Sequence, residues 1–145
     1  MDQVLNILTN QDQVGIYQLV TEIEVEALFE FCRTHDFQLV CLDGQTITNK
    51  SEFLQACAQA MEFPQHFGLN WDALEDCLTD LDWLPAKGYV VLYEQPELFA
   101  QSEPIEWSTT LEIFQAAIEY WQNTNVPMYV LLKPRSSIFS NLPSI

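Results

Sequence analysis

Asp72, Glu75, Asp76, Thr79 and Asp80 recur at the i, i+3, i+4, i+7, i+8 spacing that puts side chains on one face of an α-helix. Ala73, Leu74, Cys77, Leu78 and Leu81 take the opposite face. Four carboxylates with no cation among them can do several kinds of chemistry. They can grip a cationic protein surface through charge-assisted hydrogen bonds. Asp72 and Asp76 with His66 could ligate Mg²⁺ for phosphate chemistry, but ligands on one exposed face make a loose site, and the segment lacks the Lys or Arg that phosphoryl transfer uses. Cys77 and His66 could pair as nucleophile and base, yet Cys77 falls on the apolar side of the helix, where free cysteine is usually buried and inert. A solvated helix face in an acidic protein is the bland account, and spacing alone does not separate it from the first.

The surroundings sharpen the choice. Residues 51 to 86 hold Glu52, Glu62, Asp72, Glu75, Asp76, Asp80 and Asp82 and no Lys or Arg. In a helix running from residue 70 to 81, the pairs Asp72/Asp76 and Asp76/Asp80 would each destabilise by roughly 0.2–0.5 kcal/mol, and Asp80 would oppose the macrodipole in the last turn. Local stability would favour a face of mixed charge, so an unrelieved one points to a cationic partner. The whole chain carries 21 Asp and Glu against 5 Lys and Arg, a formal charge of −16. A field of that sign repels nucleic acid and anionic lipid and speeds encounter with basic proteins. The expectation is therefore no nucleic-acid partner, no membrane partner and a chain that is monomeric when free.

The elements that must position this face can be read from periodicity. At 145 residues the chain fits one domain, 1–145. Residues 14 to 20 read as a strand and 21 to 34 as a helix. Residues 37 to 42 form a second strand that Asp43 and Gly44 end with a turn. Asn49 can cap a helix bearing Phe53, Leu54, Cys57, Ala60 and Met61, with Glu52 reaching back, until Pro64 breaks it. Asn70 caps the acidic helix, and residues 89 to 93 form a buried strand. Residues 94 to 106 read as a short helical turn and loop. Thr109 and Glu112 then box the start of a helix striped by Leu111, Phe114, Ile118 and Trp121. Residues 127 to 132 make the last strand, and 134–145 reads as a loose tail. Strands alternating with helices imply an α/β fold, a single domain with a mostly parallel sheet of about four strands covered by helices. The strand and helix in 1–36 extend the same sheet. Trp83 could anchor a partner or plug the sheet edge, and Glu22 and Glu97 read as remote surface acids.

Cys32, Cys41, Cys57 and Cys77 show no metal-binding spacing with His35 or His66, so no metal, cofactor or disulfide framework is expected. Polar residues at 2, 6 and 10–13 interrupt any leader-like apolar run, and the expected location is a reducing cytoplasm.

Residues 63 to 79, Phe-Pro-Gln-His-Phe-Gly-Leu-Asn-Trp-Asp-Ala-Leu-Glu-Asp-Cys-Leu-Thr, closely resemble the binding loop and helix of the barstar family. Leu42-Asp43-Gly44 and the later strand and helix extend the resemblance over 37–133, with 1–36 resembling the longer N-terminal form of some relatives. The resemblance implies a non-catalytic inhibitor that blocks a basic, guanyl-preferring, barnase-like ribonuclease with its acidic helix. It implies a partner surface of His66, Phe67, Gly68, Asn70, Asp72, Glu75, Asp76, Thr79 and Asp80. In that reading Asp76 enters the phosphate site, Asp72 pairs with a neighbouring guanidinium, Thr79 adds a hydrogen bond and the loop aromatics stack on the nuclease. The chain departs from the family's best-known member at His66, Glu75 and Ala116, and in a longer loop over 82–88. The alternatives are an adaptor or antitoxin for a different basic toxin protein, and a divalent-metal-dependent phosphohydrolase.

Overall fold

The computed structural model describes residues 1–136 and 139–145. Its centre is one sheet of four strands, β1 (Gly15–Gln18), β2 (Phe37–Asp43), β3 (Gly88–Glu94) and β4 (Met128–Lys133), in the order β1-β4-β3-β2 with every pairing parallel. Among the described residues six α-helices surround it: α1 (Asp2–Leu8), α2 (Val25–Thr34), α3 (Lys50–Ala60), α4 (Trp71–Leu78), α5 (Glu97–Ser102) and α6 (Pro104–Asn123). The α/β class and the four parallel strands match the expectation from the sequence.

Strand alternation divides the core. Tyr89, Val91 and Tyr93 of β3 and Met128, Val130 and Leu132 of β4 pack against side chains of α3, α4, α5 and α6. Val90, Leu92, Tyr129 and Leu131 point the other way, under Val4, Ile7 and Leu8 of α1 and Leu28 and Cys32 of α2. Central strands apolar on both faces need a layer on each side. Residues 1 to 36 supply the second layer as well as the edge strand β1.

Five features differ from the sequence reading. Helix α1 has only one stripe of Val4, Ile7 and Leu8, too short for periodicity to show. Helix α2 begins at Val25 instead of residue 21, because the preceding backbone stays extended and serves the sheet: Leu19 N–H donates to Leu132 O at 2.7 Å and Val20 N–H to Ile145 O at 2.9 Å. Glu52 reaches back one residue further than expected, accepting from the N–H and hydroxyl of Thr48 at 2.9 and 2.8 Å, while Asn49 caps α3 by accepting from Glu52 N–H at 2.8 Å. Residues 97 to 102 form the helix α5, and α6 starts at Pro104, not near Thr109. Proline at the first helical position lacks only a donor that would be unpaired there anyway.

The fifth difference is the tail. Ile145 is buried and its N–H donates to Gln18 O at 2.9 Å, while Ser144 bridges to Gln18 beside the free edge of β1. Phe139 stacks on Trp107 with ring centroids 5.4 Å apart. Glu97, read as a surface acid, is 2% exposed and its Oε2 accepts from Arg135 N–H at 2.7 Å, Ser136 N–H at 2.9 Å and the Ser136 hydroxyl at 3.2 Å. The described part of 134–145 is thus fastened down, not loose.

Burial alone would raise the Glu97 carboxyl, but the N–H groups of Glu97, Ser136 and Arg135 and the Ser136 hydroxyl outweigh it and hold the group below its ordinary value. A depressed carboxyl adds stability that is present above the unfolded-state value and lost as pH falls through the folded-state one. Glu97→Ala should therefore lose about 1–3 kcal/mol in urea unfolding at neutral pH, since it strands two backbone donors. Wild type should lose its advantage over Glu97→Gln as pH falls below the ordinary glutamate range.

Candidate functional site

The acidic helix is short and anchored at both ends. Asn70 Oδ1 accepts from Ala73 N–H at 2.8 Å, closing the start of α4, and its amide donates to Gly68 O at 2.6 Å, tying the preceding loop to the helix. Trp71 Nε1 donates to Glu106 Oε2 of α6 at 3.0 Å, and Lys50 Nζ lies 5.2 Å from the Trp71 ring centre. At the far end Trp121 Nε1 of α6 donates to Leu78 O at 2.7 Å. Between these clamps Leu74 and Leu78 are completely buried. Burying a leucine is worth about 1.5–3 kcal/mol, whereas each like-charge pair opposes the helix by roughly 0.2–0.5 kcal/mol. Burial wins, and the helix tolerates its charged face.

The helix ends at Leu78, earlier than the spacing implies. Leu81 is buried at φ 52°, so the chain turns inward immediately after the helix. Asp80 is exposed in that turn, where its Oδ1 accepts from Asp82 N–H at 3.3 Å, and is not part of the last helical turn. Asp80 therefore lies outside the helix, and the exit carries a repulsion of its own: the Asp80 carboxyl, first as hydrogen-bond partner and then as neighbouring charge, raises Asp82.

Asp72, Glu75 and Asp76 are exposed on α4, and among the described residues none of them is in an ion pair. The Thr79 hydroxyl donates to Glu75 O at 2.8 Å, so its proton serves the helix end and the oxygen is left as an acceptor. His66 and Gly68 are exposed in the loop, while Phe67 is half-buried against Phe63 with ring centroids 4.9 Å apart. His66, Phe67 and Gly68 face Ala73, Asp76 and Cys77 across a hollow of about 150 Å³. Asp76 therefore stands beside a recess about the size of one side chain. Ala116 lies elsewhere, in a shallow depression with Leu111 and Leu142.

Several positioning residues lie beyond local sequence reasoning. Trp71 and Glu106 are 35 residues apart, and Trp121 and Leu78 are 43 apart, so no helical or strand period links them. Trp83 is half-buried and its Nε1 donates to Met61 O at 2.9 Å, with its ring edge-on to Phe63. It fastens the base of the loop instead of covering a sheet edge. Leu69, at φ 30° and 47% exposed, leaves an apolar side chain in solvent just before the acidic helix.

Cys77 is half-buried, and burial followed by the charges of Asp80 and Asp76 pushes its thiol up. A raised thiol is a poor nucleophile at neutral pH. Among the described residues no group of three or more His, Cys, Asp or Glu side chains could hold a metal ion.

Against known proteins, the family model described as Barstar (barnase inhibitor) matches residues 37–133. No curated protein sequence matches the chain. Among solved structures, CDC6P from Pyrobaculum aerophilum is similar at TM-score 0.55 and 15% identity, covering 97% of this chain and 40% of that one. A chain from the structure of Drosophila ORC bound to AT-rich DNA and Cdc6 gives TM-score 0.50 and 11% identity, covering 92% and 43%. The Aeropyrum pernix ORC2 protein gives 0.50 and 14%, covering 92% and 38%. The chain spans less than half the length of each, and at these identities the likeness is one of fold alone.

The double role of Asn70 can be separated by substitution. Asn70→Ala should destabilise the protein by about 1 kcal/mol in denaturant unfolding, the usual loss on removing an N-cap. Asn70→Asp keeps the acceptor and should restore most of that stability while still lacking the bond to Gly68 O.

Proposed function

Because the chain belongs to the barstar family, we propose that it is a protein inhibitor that docks α4 and the preceding loop into the cationic active site of a basic, barnase-like ribonuclease. The observation that carries the reading is the setting of Asp76, a carboxylate in no ion pair among the described residues, at the rim of a recess walled by His66, Phe67 and Gly68. A nuclease collects Arg, Lys and His to hold phosphates, and a rigidly presented carboxylate can replace the phosphate among them. One inserted cationic side chain fits beside Asp76, while Asp72 and Glu75 meet the cations around it. Asp80, exposed in the turn after the helix, adds a further carboxylate to this surface.

The inhibitor works by occlusion and needs no catalytic group, cofactor or metal. The raised Cys77 thiol accords with that. Four cysteines that are all free accord with action in a reducing cytoplasm. The charge of −16 accelerates capture of a cationic enzyme, opposes direct binding of RNA and disfavours self-association of the free protein. His66 and Glu75, where the family's best-known member carries other residues, shape specificity toward this chain's own basic partner, whereas Ala116 lies away from the recess.

Inhibition of RNA cleavage by a barnase-like ribonuclease tests the proposal. Asp76→Ala should weaken inhibition by on the order of 2–5 kcal/mol, because it leaves the enzyme's cations buried and unpaired. Glu26→Ala, on the opposite layer, should leave it within about 0.5 kcal/mol of wild type. Asp76→Ala should melt no lower than wild type, since it removes repulsion from Asp72. Equal inhibition by both variants would overturn the docking surface. Failure of the wild type on ribonucleases, together with Asp76-dependent capture of another basic toxin, would favour an adaptor or antitoxin role.

A further inference from the structure

All four strands end at one edge of the sheet, and their exits enclose a cleft of about 350 Å³ lined by Lys133, Arg135, Glu22, Glu94, Gln45 and Gln95. The chain leaves β1 toward α2 on one face, whereas it leaves β2 and β3 toward α3 and α5 on the other. Connections that diverge in this way open a crevice at the carboxyl ends of parallel strands, the usual ligand position in open α/β sheets.

The distribution of cations is the second observation. Of five, Arg33 pairs with Glu30, Lys87 with Asp36, and Lys50 lies over Trp71. Lys133 and Arg135 are in no ion pair among the described residues, although they belong to a strongly acidic chain and share the cleft with two glutamates. Their backbone is held firmly: Gln95 N–H donates to Lys133 O at 3.0 Å, and the buried Glu97 carboxylate accepts Arg135 N–H at 2.7 Å. The opposite wall is equally constrained. A Cβ on Gly44 would lie 2.2 Å from the carbonyl oxygens of Glu94 and Gln95, so only glycine lets the β2 exit pass so close to the β3 exit. Gln45 and Gln95 are fixed through their backbone N–H groups, to Asp43 Oδ1 and Lys133 O, which leaves their side-chain amides for a ligand.

We propose that this cleft binds a nucleoside monophosphate, its phosphate on Lys133 and Arg135 and the N–H edge of its base on the Glu22 and Glu94 carboxylates and the glutamine amides. Lys133 and Arg135 match the two charges of one phosphate, and with Glu22 and Glu94 in the same cleft no positive charge is left over for a di- or triphosphate. The volume falls in the range of small-molecule sites, and acids opposite the cations provide acceptors that a bare anion would not use. None of these residues lies on α4 or its loop, so the proposal stands apart from ribonuclease inhibition.

NMR titration of the full chain with adenosine, guanosine, cytidine and uridine monophosphates, their nucleosides and inorganic phosphate tests it. At least one monophosphate should give saturable shifts confined to the exits around Glu22, Gln45, Gln95 and Arg135. Its nucleoside and inorganic phosphate should each bind at least about tenfold more weakly, about one charge-assisted interaction's worth. Lys133→Gln and Arg135→Gln, which keep the side-chain stems, should weaken binding similarly, while Lys87→Gln at the other end of the sheet should bind as wild type. The proposal is overturned if no probe shifts these signals, if the shifts persist in the Lys133→Gln/Arg135→Gln double variant, or if inorganic phosphate binds as tightly as every nucleotide.

Discussion

Strands β3 and β4 carry apolar side chains on both faces, and burying both faces is the constraint on which the rest of the molecule depends. Val90, Leu92, Tyr129 and Leu131 are almost wholly enclosed on one side, and Val91, Tyr93, Val130 and Leu132 on the other. Parallel pairing requires crossovers, and the crossovers supply helices to both faces. Helices α1 and α2 from the first 36 residues close one face, and α3 to α6 close the other. The terminal residues then run along the outer edge of β1, where Gln18 and Val20 would otherwise leave backbone groups unpaired. The residues outside the family match are therefore part of the core.

The same constraint presents the acidic helix. Helix α4 spans only Trp71–Leu78, too short to persist alone with a one-signed face. It persists because Leu74 and Leu78 enter the core and two tryptophans join its ends to α6. Rigidity obtained from the apolar side allows the polar side to be unfavourable in the free protein, with unrelieved carboxylates beside a recess. Such a surface gains most from a cationic partner that is already arranged, because little ordering remains to be done on binding.

Much of this was legible in the sequence. Short apolar runs rich in branched and aromatic residues identify all four strands, and residue types at the helix starts identify the Asn49 and Asn70 caps, because those signals are local. What escaped depends on distance along the chain. The Glu97 carboxylate meets backbone 38 residues away, so its burial has no local sign, and the tail looked loose because its partner is Gln18 at the opposite end. Spacing does not mark the limit of α4, because Leu81 keeps the apolar spacing while leaving the helix at positive φ. The recess beside Asp76 depends on how a loop folds over a helix, which residue types do not specify. The motif over residues 63 to 79 located that region by resemblance, but further roles emerge only from geometry: Asn70 also ties the loop to the helix, Trp83 just beyond the motif fastens the loop's base, Thr79 closes the helix, and Asp72, Glu75 and Asp76 are in no ion pair among the described residues.

Inhibition by occlusion requires that α4 and the loop before it form the docking surface. Amide hydrogen exchange of the chain, free and bound to a barnase-like ribonuclease, tests this most directly. Binding should slow exchange across residues 64 to 80 and leave α2 and the strand exits unchanged. Protection concentrated on α2, or none on α4 in a complex that still forms, would contradict it.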